Sequence, residues 1–187
     1  EDERVLTQVE FSDVLAQNGA ADLDSVIMIQ CVGSRNEENE NCSRICCQSA
    51  VKNALEIKKL NPETNVYILY RDMRTYGLLE DYYKEARQTG VIFIRFDRHE
   101  SPEVKKSKDG LTVTVKDHVL QQKLDIAADR VILSAGVTAA DTTELSNIMK
   151  LNRSPEGFFI EAHVKLRPVD MPSEGIFLCG TAHGPKL

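Results

Sequence analysis

Four of the five cysteines lie close together, as Cys31, Cys42, Cys46 and Cys47, in the spacing C-x10-C-x3-C-C. The first ends an apolar run that is typical of a buried strand, and the last two open an apparent helix. Four thiolates at one strand-to-helix turn are what a metal ion or an iron–sulfur cluster requires. We therefore predict that any chemistry of this chain starts at these four sulfurs.

The residues alone leave more than one ligand open. Structural zinc sites usually contain closely spaced C-x-x-C-type pairs or a histidine pair, and neither occurs here, which favours a [4Fe–4S] cluster over zinc. A thiol–disulfide pair, or no ligand with Cys46 or Cys47 packed as a small apolar side chain, are the other interpretations. Cys179 follows a separate apolar run, so we expect it to pack in the core and not to bind metal.

The elements that must position these cysteines form a predicted βαβαβ unit. Apolar runs predict buried strands, and apolar residues at helical spacing predict the helices between them. The strands are residues 25–33, 65–70 and 91–96; the helices run from an N-cap at Ser43 to Leu60 and over residues 76–88. Right-handed crossovers turn such a unit into half of a Rossmann-like parallel sheet.

The pattern changes after the third strand. A turn at residues 108–110 and alternating segments at 111–116 and 123–126 predict an antiparallel meander, followed by a buried strand at 130–135. A short helix at 141–150 and strands at 158–160 and 176–179 complete the prediction. The expected fold class is α/β, a Rossmann-like three-layer parallel sheet with an antiparallel β-meander.

The first strand-to-helix turn also argues against a nucleotide. A dinucleotide site needs G-x-G-x-x-G at this turn so that main-chain amides can grip a pyrophosphate, and only Gly33 is present. The N-terminus of the following helix carries partial positive charge, which favours thiolates instead. We expect no NAD or NADP binding.

A second candidate site is the glycine-punctuated turn at residues 180–185. It follows an apolar run directly, at the kind of position where main-chain amides approach a cofactor. The four histidines show no metal-ligand spacing, and only His183 lies in this turn. No residue is assigned a catalytic role.

Composition restricts the class of protein further. The chain has 187 residues, a net charge of −6, 42% hydrophobic residues and 28% charged residues. These values are typical of a globular protein and argue against nucleic acid as a partner. There is no apolar run of the ~20 residues that crosses a bilayer, and no signal peptide pattern, so we expect a cytoplasmic protein. Both ends look cut, which suggests a piece of a longer polypeptide.

Four segments together resemble one protein family, the A subunit of heterodisulfide reductase and its relatives in sulfate reducers. The resemblance runs from about Val26 to the C-terminus, and its C-x3-C-C element is uncommon. The segments are residues 29–35, 42–47, 70–74 and 177–186.

The resemblance implies a thioredoxin-reductase-type flavoprotein. Residues 1–24 would lead in from an FAD domain, 25–136 would be the inserted pyridine-nucleotide-like domain with the cysteine motif and the meander, and 137–187 would be the returning part of the FAD domain. The cysteine quartet would hold a [4Fe–4S] cluster close to FAD. Gly180 and Thr181 would lie against the flavin, with Thr181 where thioredoxin reductases have Asp, and His183 would lie in the same turn.

The resemblance also implies partners and limits. The parent would be an oxidoreductase acting on a disulfide, in some complexes with electron bifurcation, and a homodimer that associates with other subunits and with hydrogenase or ferredoxin-linked electron donors. This piece alone lacks the glycine-rich turn for the ADP half of FAD, so we expect it to hold no FAD and to be inactive. The alternative is a non-catalytic, zinc- or thiol-stabilised interaction domain that docks partner subunits.

Overall fold

The computed structural model describes residues 2–107 and 110–186. Lys108 and Asp109, two residues of the predicted meander turn, lie outside the described residues. The chain divides into two compact units. The first unit comprises the residues up to Gly33 and Cys46–Ala135, and the second comprises Ser34–Ile45 and the residues from Gly136 onward.

The first unit contains a five-stranded parallel sheet and a separate three-stranded antiparallel sheet. The parallel strands, in spatial order, are β1 (Val5–Thr7), β8 (Arg130–Ala135), β2 (Ser25–Val32), β3 (Asn65–Tyr70) and β4 (Ile92–Arg95). The antiparallel strands are β5 (Glu103–Lys106), β6 (Leu111–Asp117) and β7 (Gln122–Ala128). Helices α1 (Gln8–Asn18), α2 (Cys46–Leu60) and α3 (Leu79–Gln88) belong to the same unit.

Strand β2 is buried on both faces, as its continuous apolar run predicts. Val26 and Met28 lie in the core shared with α1 and α2, whereas Ile27 and Ile29 lie in the core shared with β6 and β7. Successive side chains of a strand point to opposite faces, so the parallel sheet is the middle layer between helices and meander. The α/β prediction with a parallel sheet and a meander is confirmed.

The N-terminal elements were not predicted. Thr7 accepts a hydrogen bond from the main-chain N–H of Glu10, and the Glu10 carboxylate accepts one from the main-chain N–H of Thr7. This reciprocal capping box begins α1. The T-x-x-E signal was present in the sequence, and the short strand β1 directly before it pairs with β8.

Helix α2 begins three residues later than predicted. It starts at Cys46, and Ser43 is not its N-cap. The buried Ser43 hydroxyl accepts a hydrogen bond of 2.7 Å from the main-chain N–H of Val137 instead. A serine side chain forms this distant contact at the expense of a local one because burial requires its oxygen to be paired.

The second unit has little regular structure. It contains α4 (Thr143–Met149) and a 3-10 turn at Gly180–Ala182, and its core consists of Leu151, Phe159, Met171 and Leu178. The predicted strands at 158–160 and 176–179 were wrong, since each contributes only an isolated bridge, at Phe159 and at Phe177. In residues 2–107 and 110–186, no helix combines the length and apolar character that a membrane crossing needs.

Candidate functional site

Three of the four clustered cysteines lie in the first unit, at the carboxyl end of the parallel sheet. Cys31 is near the end of β2, and Cys46 and Cys47 begin the helix that follows in this unit. The register between β2 and β8 shifts between Ile29 and Val32. A bulge of this kind redirects side chains at a strand end, and the carboxyl ends of parallel strands are where α/β proteins bind ligands.

The two helix cysteines contact the strands on either side of β2. The Cys46 thiol donates to the main-chain oxygen of Ala135, at the end of β8, with an Sγ–O distance of 3.9 Å. The Cys47 thiol donates to the main-chain oxygen of Asp72, just beyond β3, at 3.7 Å. Since β8 and β3 are the two neighbours of β2, the two sulfurs flank the strand end that carries Cys31.

The backbone at this strand end is strained. Cys31 has φ of 62° and Gly33 has φ of 66°, both in the left-handed region. That conformation costs an ordinary L-residue about 1–2 kcal/mol and is tolerated by glycine. Backbone with alternating handedness turns N–H groups into one concavity, which is how many iron–sulfur and phosphate sites bind negative charge. Strain in Cys31 therefore favours a functional turn.

Cys42 lies in the second unit. Its sulfur accepts a hydrogen bond of 3.3 Å from the main-chain N–H of Arg44, two residues further along. Arg35 and Arg44, on either side of Cys42, have φ of 56° and 59°. Together with Cys31 they are three of the five non-glycine residues with positive φ among the described residues. Backbone strain is thus concentrated along the cysteine motif, and such strain is typical of functional segments.

No assembled metal site is present in residues 2–107 and 110–186. There, no group of three or more His, Cys, Asp and Glu side chains is placed to hold a metal ion. A cluster must therefore draw the thiols away from the carbonyl partners described above. The ligand set of Cys31, Cys42, Cys46 and Cys47 stays a prediction.

The residues at the end of β2 nevertheless fit a thiolate-bound cluster. Gln30, which directly precedes Cys31, is 1% exposed. Neither its amide nitrogen nor its amide oxygen has a hydrogen-bond partner among the described residues. A buried polar group without a partner is costly, so its presence beside a cysteine points to a ligand that supplies the partner. Sequence reasoning missed Gln30 because it stands within an apolar run.

The second candidate site, the turn at Gly180–Ala182, is exposed. Gly180 has φ of 60°, and there is open space where a side chain would begin. A ligand can therefore come close to the main chain of Gly180 and Thr181. His183 follows this turn and donates its main-chain N–H to the carbonyl of Gly180 at 3.2 Å.

His183 is held by two charged residues. Its Nε2 is hydrogen-bonded to the Glu161 carboxylate, and its Nδ1 lies 2.7 Å from Nζ of Lys186. The lysine ammonium can only donate, so Nδ1 accepts and Nε2 carries the proton. A hydrogen bond from its own main-chain N–H, and next the His183 ring, hold the pKa of Glu161 below its ordinary value. The sequence carried no signal for this contact between distant residues.

Cys179 is exposed, so the expectation that it packs in the core was wrong. Of the apolar residues before it, Leu178 is buried, whereas Phe177 points outward. The apolar run therefore indicated a buried strand that the second unit does not contain.

The fold is similar to that of thioredoxin-reductase-like flavoproteins. The Cu(II) complex of the HOCl-induced flavoprotein disulfide reductase RclA from Escherichia coli matches 97% of this chain over 34% of that chain, with a TM-score of 0.56 and 13% identity. Thioredoxin reductase from T. acidophilum matches 98% of this chain over 51% of that chain, with a TM-score of 0.56 and 13% identity. At such identities the likeness concerns the fold alone. No protein-family model matches the chain.

The sequence relatives are more specific, and all three named here are A subunits of heterodisulfide reductases. This chain is 43% identical to that of the ferredoxin:CoB-CoM heterodisulfide reductase of Methanosarcina acetivorans, over 86% of the chain and 20% of the relative. It is 47% identical to that of the H(2)/formate:CoB-CoM heterodisulfide,ferredoxin reductase of Methanococcus maripaludis, over 86% and 25%. For the iron-sulfur A subunit of the CoB–CoM heterodisulfide reductase of Methanocaldococcus jannaschii the identity is 46%, over 86% and 25%.

The chain is therefore homologous to one segment of heterodisulfide reductase A subunits, which confirms the resemblance seen in its motifs. It spans a fifth to a quarter of the length of these relatives.

Proposed function

We propose that this chain is an electron-transfer segment of a protein of the heterodisulfide reductase A type and carries a [4Fe–4S] cluster beside FAD. The observation that carries the proposal is the set of cysteines at the carboxyl end of β2 and the start of α2, in the place of a nucleotide-binding glycine turn. The name of the Methanocaldococcus jannaschii relative, an iron-sulfur subunit, supports the same cofactor. As part of an oxidoreductase, the segment would serve a reaction on a disulfide.

A bound cluster would supply one-electron transfer, and the residues of this chain would set its binding. Cys31, Cys42, Cys46 and Cys47 would be the ligands, and each must lose its thiol proton to bind iron. The first turn of α2 contains no acidic side chain, so its N-terminal partial charge is available to favour the thiolates of Cys46 and Cys47.

The FAD contact would come from Gly180, Thr181 and His183. The open main chain at Gly180 supports this assignment, as do the flavoproteins among the structural neighbours. Glu161 and Lys186 would fix the orientation of the His183 ring. This turn is a single edge of a pocket, and a site must enclose most of a ligand to bind it well. We expect no flavin absorbance from this chain alone, and stoichiometric flavin would contradict that expectation.

The partners follow from the relatives and belong to the whole parent protein. We propose other heterodisulfide reductase-type subunits, and hydrogenase or ferredoxin-linked electron donors, for a homodimeric parent in the cytoplasm. The Methanosarcina acetivorans and Methanococcus maripaludis relatives are named for ferredoxin and for H(2) or formate, which supports donors of this kind. NAD is not proposed as a cofactor.

Metal analysis after anaerobic purification tests the proposal. Iron and acid-labile sulfide in a one-to-one ratio, with visible sulfide-to-iron absorption, are expected. Stoichiometric zinc would overturn the proposal and favour the interaction domain that docks partner subunits. Protein that takes up neither iron nor sulfide under anaerobic reconstitution would overturn it as well, because thiolates matched to a cluster should assemble one.

A further inference from the structure

The Gln30 side chain is an unexplained polar group in the core of the first unit. It is 1% exposed, and both polar atoms of its amide are buried without a partner among the described residues. By contrast, the neighbouring amides of Gln8 and Asn53 are paired with each other. An unpaired amide in the interior lowers stability, so an apolar side chain would serve better here if packing were its only role.

Strand geometry places this amide beneath the start of α2. Gln30 follows Val26 and Met28 at alternate positions, and those two residues face the helix layer. The first residues of α2 are Cys46 and Cys47, whose thiols reach the ends of β8 and β3, the two strands next to β2. The Gln30 amide therefore lies on the same side of the sheet and at the same strand end as these sulfurs.

Charge decides which atom of the amide is used. The amide nitrogen offers two N–H donors, and a thiolate or an iron-bound sulfur is an acceptor with negative charge. No other buried side-chain amide among the described residues is unpaired. A ligand that brings negative sulfur to this point would satisfy a donor that the metal-free protein leaves unpaired.

We infer that the Gln30 amide nitrogen donates a hydrogen bond to a sulfur of the cluster bound at Cys31, Cys46 and Cys47, and thereby raises the reduction potential of that cluster. The inference rests on the proposed function. Reduction adds negative charge to the cluster, and a hydrogen bond to sulfur stabilises the more negative state. Gln30 would be a positioning and tuning residue, not an iron ligand.

Substitution of Gln30 by Met tests the inference, because Met has a similar unbranched shape and no polar atoms in place of the amide. In the metal-free protein, Gln30→Met should raise the unfolding temperature, since it removes an unpaired buried group. In the cluster-loaded protein, it should lower the reduction equilibrium constant about tenfold, which is about 59 mV for one electron. A role in packing alone cannot give these two opposite effects.

Two further variants make the result specific. Met28→Leu, on the same face of β2 and fully buried, should leave the potential unchanged. Gln30→Glu keeps the shape but replaces the donor by an acceptor, so it should lower the potential at least as much as Met does, and it serves if the Met variant does not fold. Potentials are measured by redox titration followed by electron paramagnetic resonance, on protein reconstituted anaerobically with iron and sulfide.

The outcomes separate this inference from the proposed function. Wild-type protein without iron and sulfide would overturn both. Wild-type, Gln30→Met and Gln30→Glu proteins that bind equal iron at the same potential would overturn the role of Gln30 alone. A shift in Met28→Leu equal to that in Gln30→Met would also overturn it, because the effect would then come from repacking of the strand.

Discussion

The side-chain nitrogen of Asn53 in α2 donates to the side-chain oxygen of Gln8 in α1 at 2.8 Å and to the Gln8 main-chain oxygen at 3.1 Å. The Gln8 nitrogen in turn donates to the Ser134 hydroxyl in β8, and Ser12 donates to the Asn53 oxygen. This buried, paired network joins two helices and a strand. It fixes the helix that begins with Cys46.

Removal of one partner of this network should destabilise the first unit. Asn53→Leu leaves the Gln8 oxygen unpaired in the interior, which costs about 1–3 kcal/mol in the free energy of unfolding. The double variant with Gln8→Leu should cost less than the sum of the single variants, because neither partner is then left alone. Urea denaturation measures all three, and simple additivity of the two costs would contradict the coupling.

The cysteine set can be tested by serine substitution at each position. Cys31→Ser, Cys42→Ser, Cys46→Ser and Cys47→Ser should each reduce the iron content, since serine replaces a thiolate ligand with a poorer one. Cys179→Ser is the matched control and should keep full iron, because this exposed residue lies outside the motif. Iron loss in Cys179→Ser with retention in Cys42→Ser would refute the ligand assignment.

Much of the first unit was predictable because its core is written in continuous patterns. Strand β2 needs apolar residues on both faces, and the run from Val26 to Ile29 shows that requirement directly. Strand β5 was missed because all four of its residues are exposed. Its position follows from pairing with β6, a tertiary contact that no local pattern reveals.

The candidate site was predictable only where residue type announces chemistry. The cysteine motif was recognised from thiols alone, but the unpaired state of Gln30 depends on what surrounds it in the folded protein. The contact between Glu161 and His183 joins residues that are distant in sequence. Cys179 was misjudged because apolar runs predict burial, while the small core of the second unit leaves Phe177 exposed.

The absence of a nucleotide site gives a further prediction. Between Val32 and Arg35 the turn contains one glycine, so side chains occupy the space that a pyrophosphate needs. Calorimetric titration with NADPH should show no binding, with the cluster loaded or removed. Micromolar affinity in either state would contradict the prediction and would favour a pyridine-nucleotide reductase. The comparison of the two states separates the effect of the turn from that of a bound cluster.

The Glu161 carboxylate should make the second unit sensitive to acid. Its pKa lies below the ordinary value of 4.5, first because of its own main-chain N–H and then because of His183. A depressed pKa contributes stability above pH 4.5, and this contribution is lost as the pH falls through the lower, folded-state value. Asp141, bonded to Thr143, acts in the same direction.

Glu161→Gln should therefore weaken the acid-induced loss of stability without abolishing it. Thermal unfolding, followed by methyl NMR signals of the second unit over a range of acidic pH, measures the slope. Glu174→Gln, at an exposed site of the same unit, is the control for loss of one negative charge. Equal slopes in wild type and Glu161→Gln would show that the hydrogen bond to His183 does not stabilise the fold.

The second unit should cause this chain to associate with itself. Helix α4 has no buried residue, and Ile148, Leu166 and Phe177 are 71%, 80% and 71% exposed. Burial of such side chains against another molecule releases water and is favourable by roughly 25 cal/mol per Å². Sedimentation velocity should therefore show a coefficient that rises with protein concentration, and the double substitution Ile148→Lys and Phe177→Lys should reduce that rise.

The control for this experiment is Val119→Lys, which adds a charge at a 79% exposed apolar residue of the first unit. It should leave the concentration dependence unchanged, since the association is assigned to the second unit. If Val119→Lys reduces association as much as the double substitution does, net charge and not the apolar surface of the second unit controls it. A chain that stays monomeric at all concentrations would contradict the prediction outright, because it would mean that these apolar side chains find no partner surface on another copy.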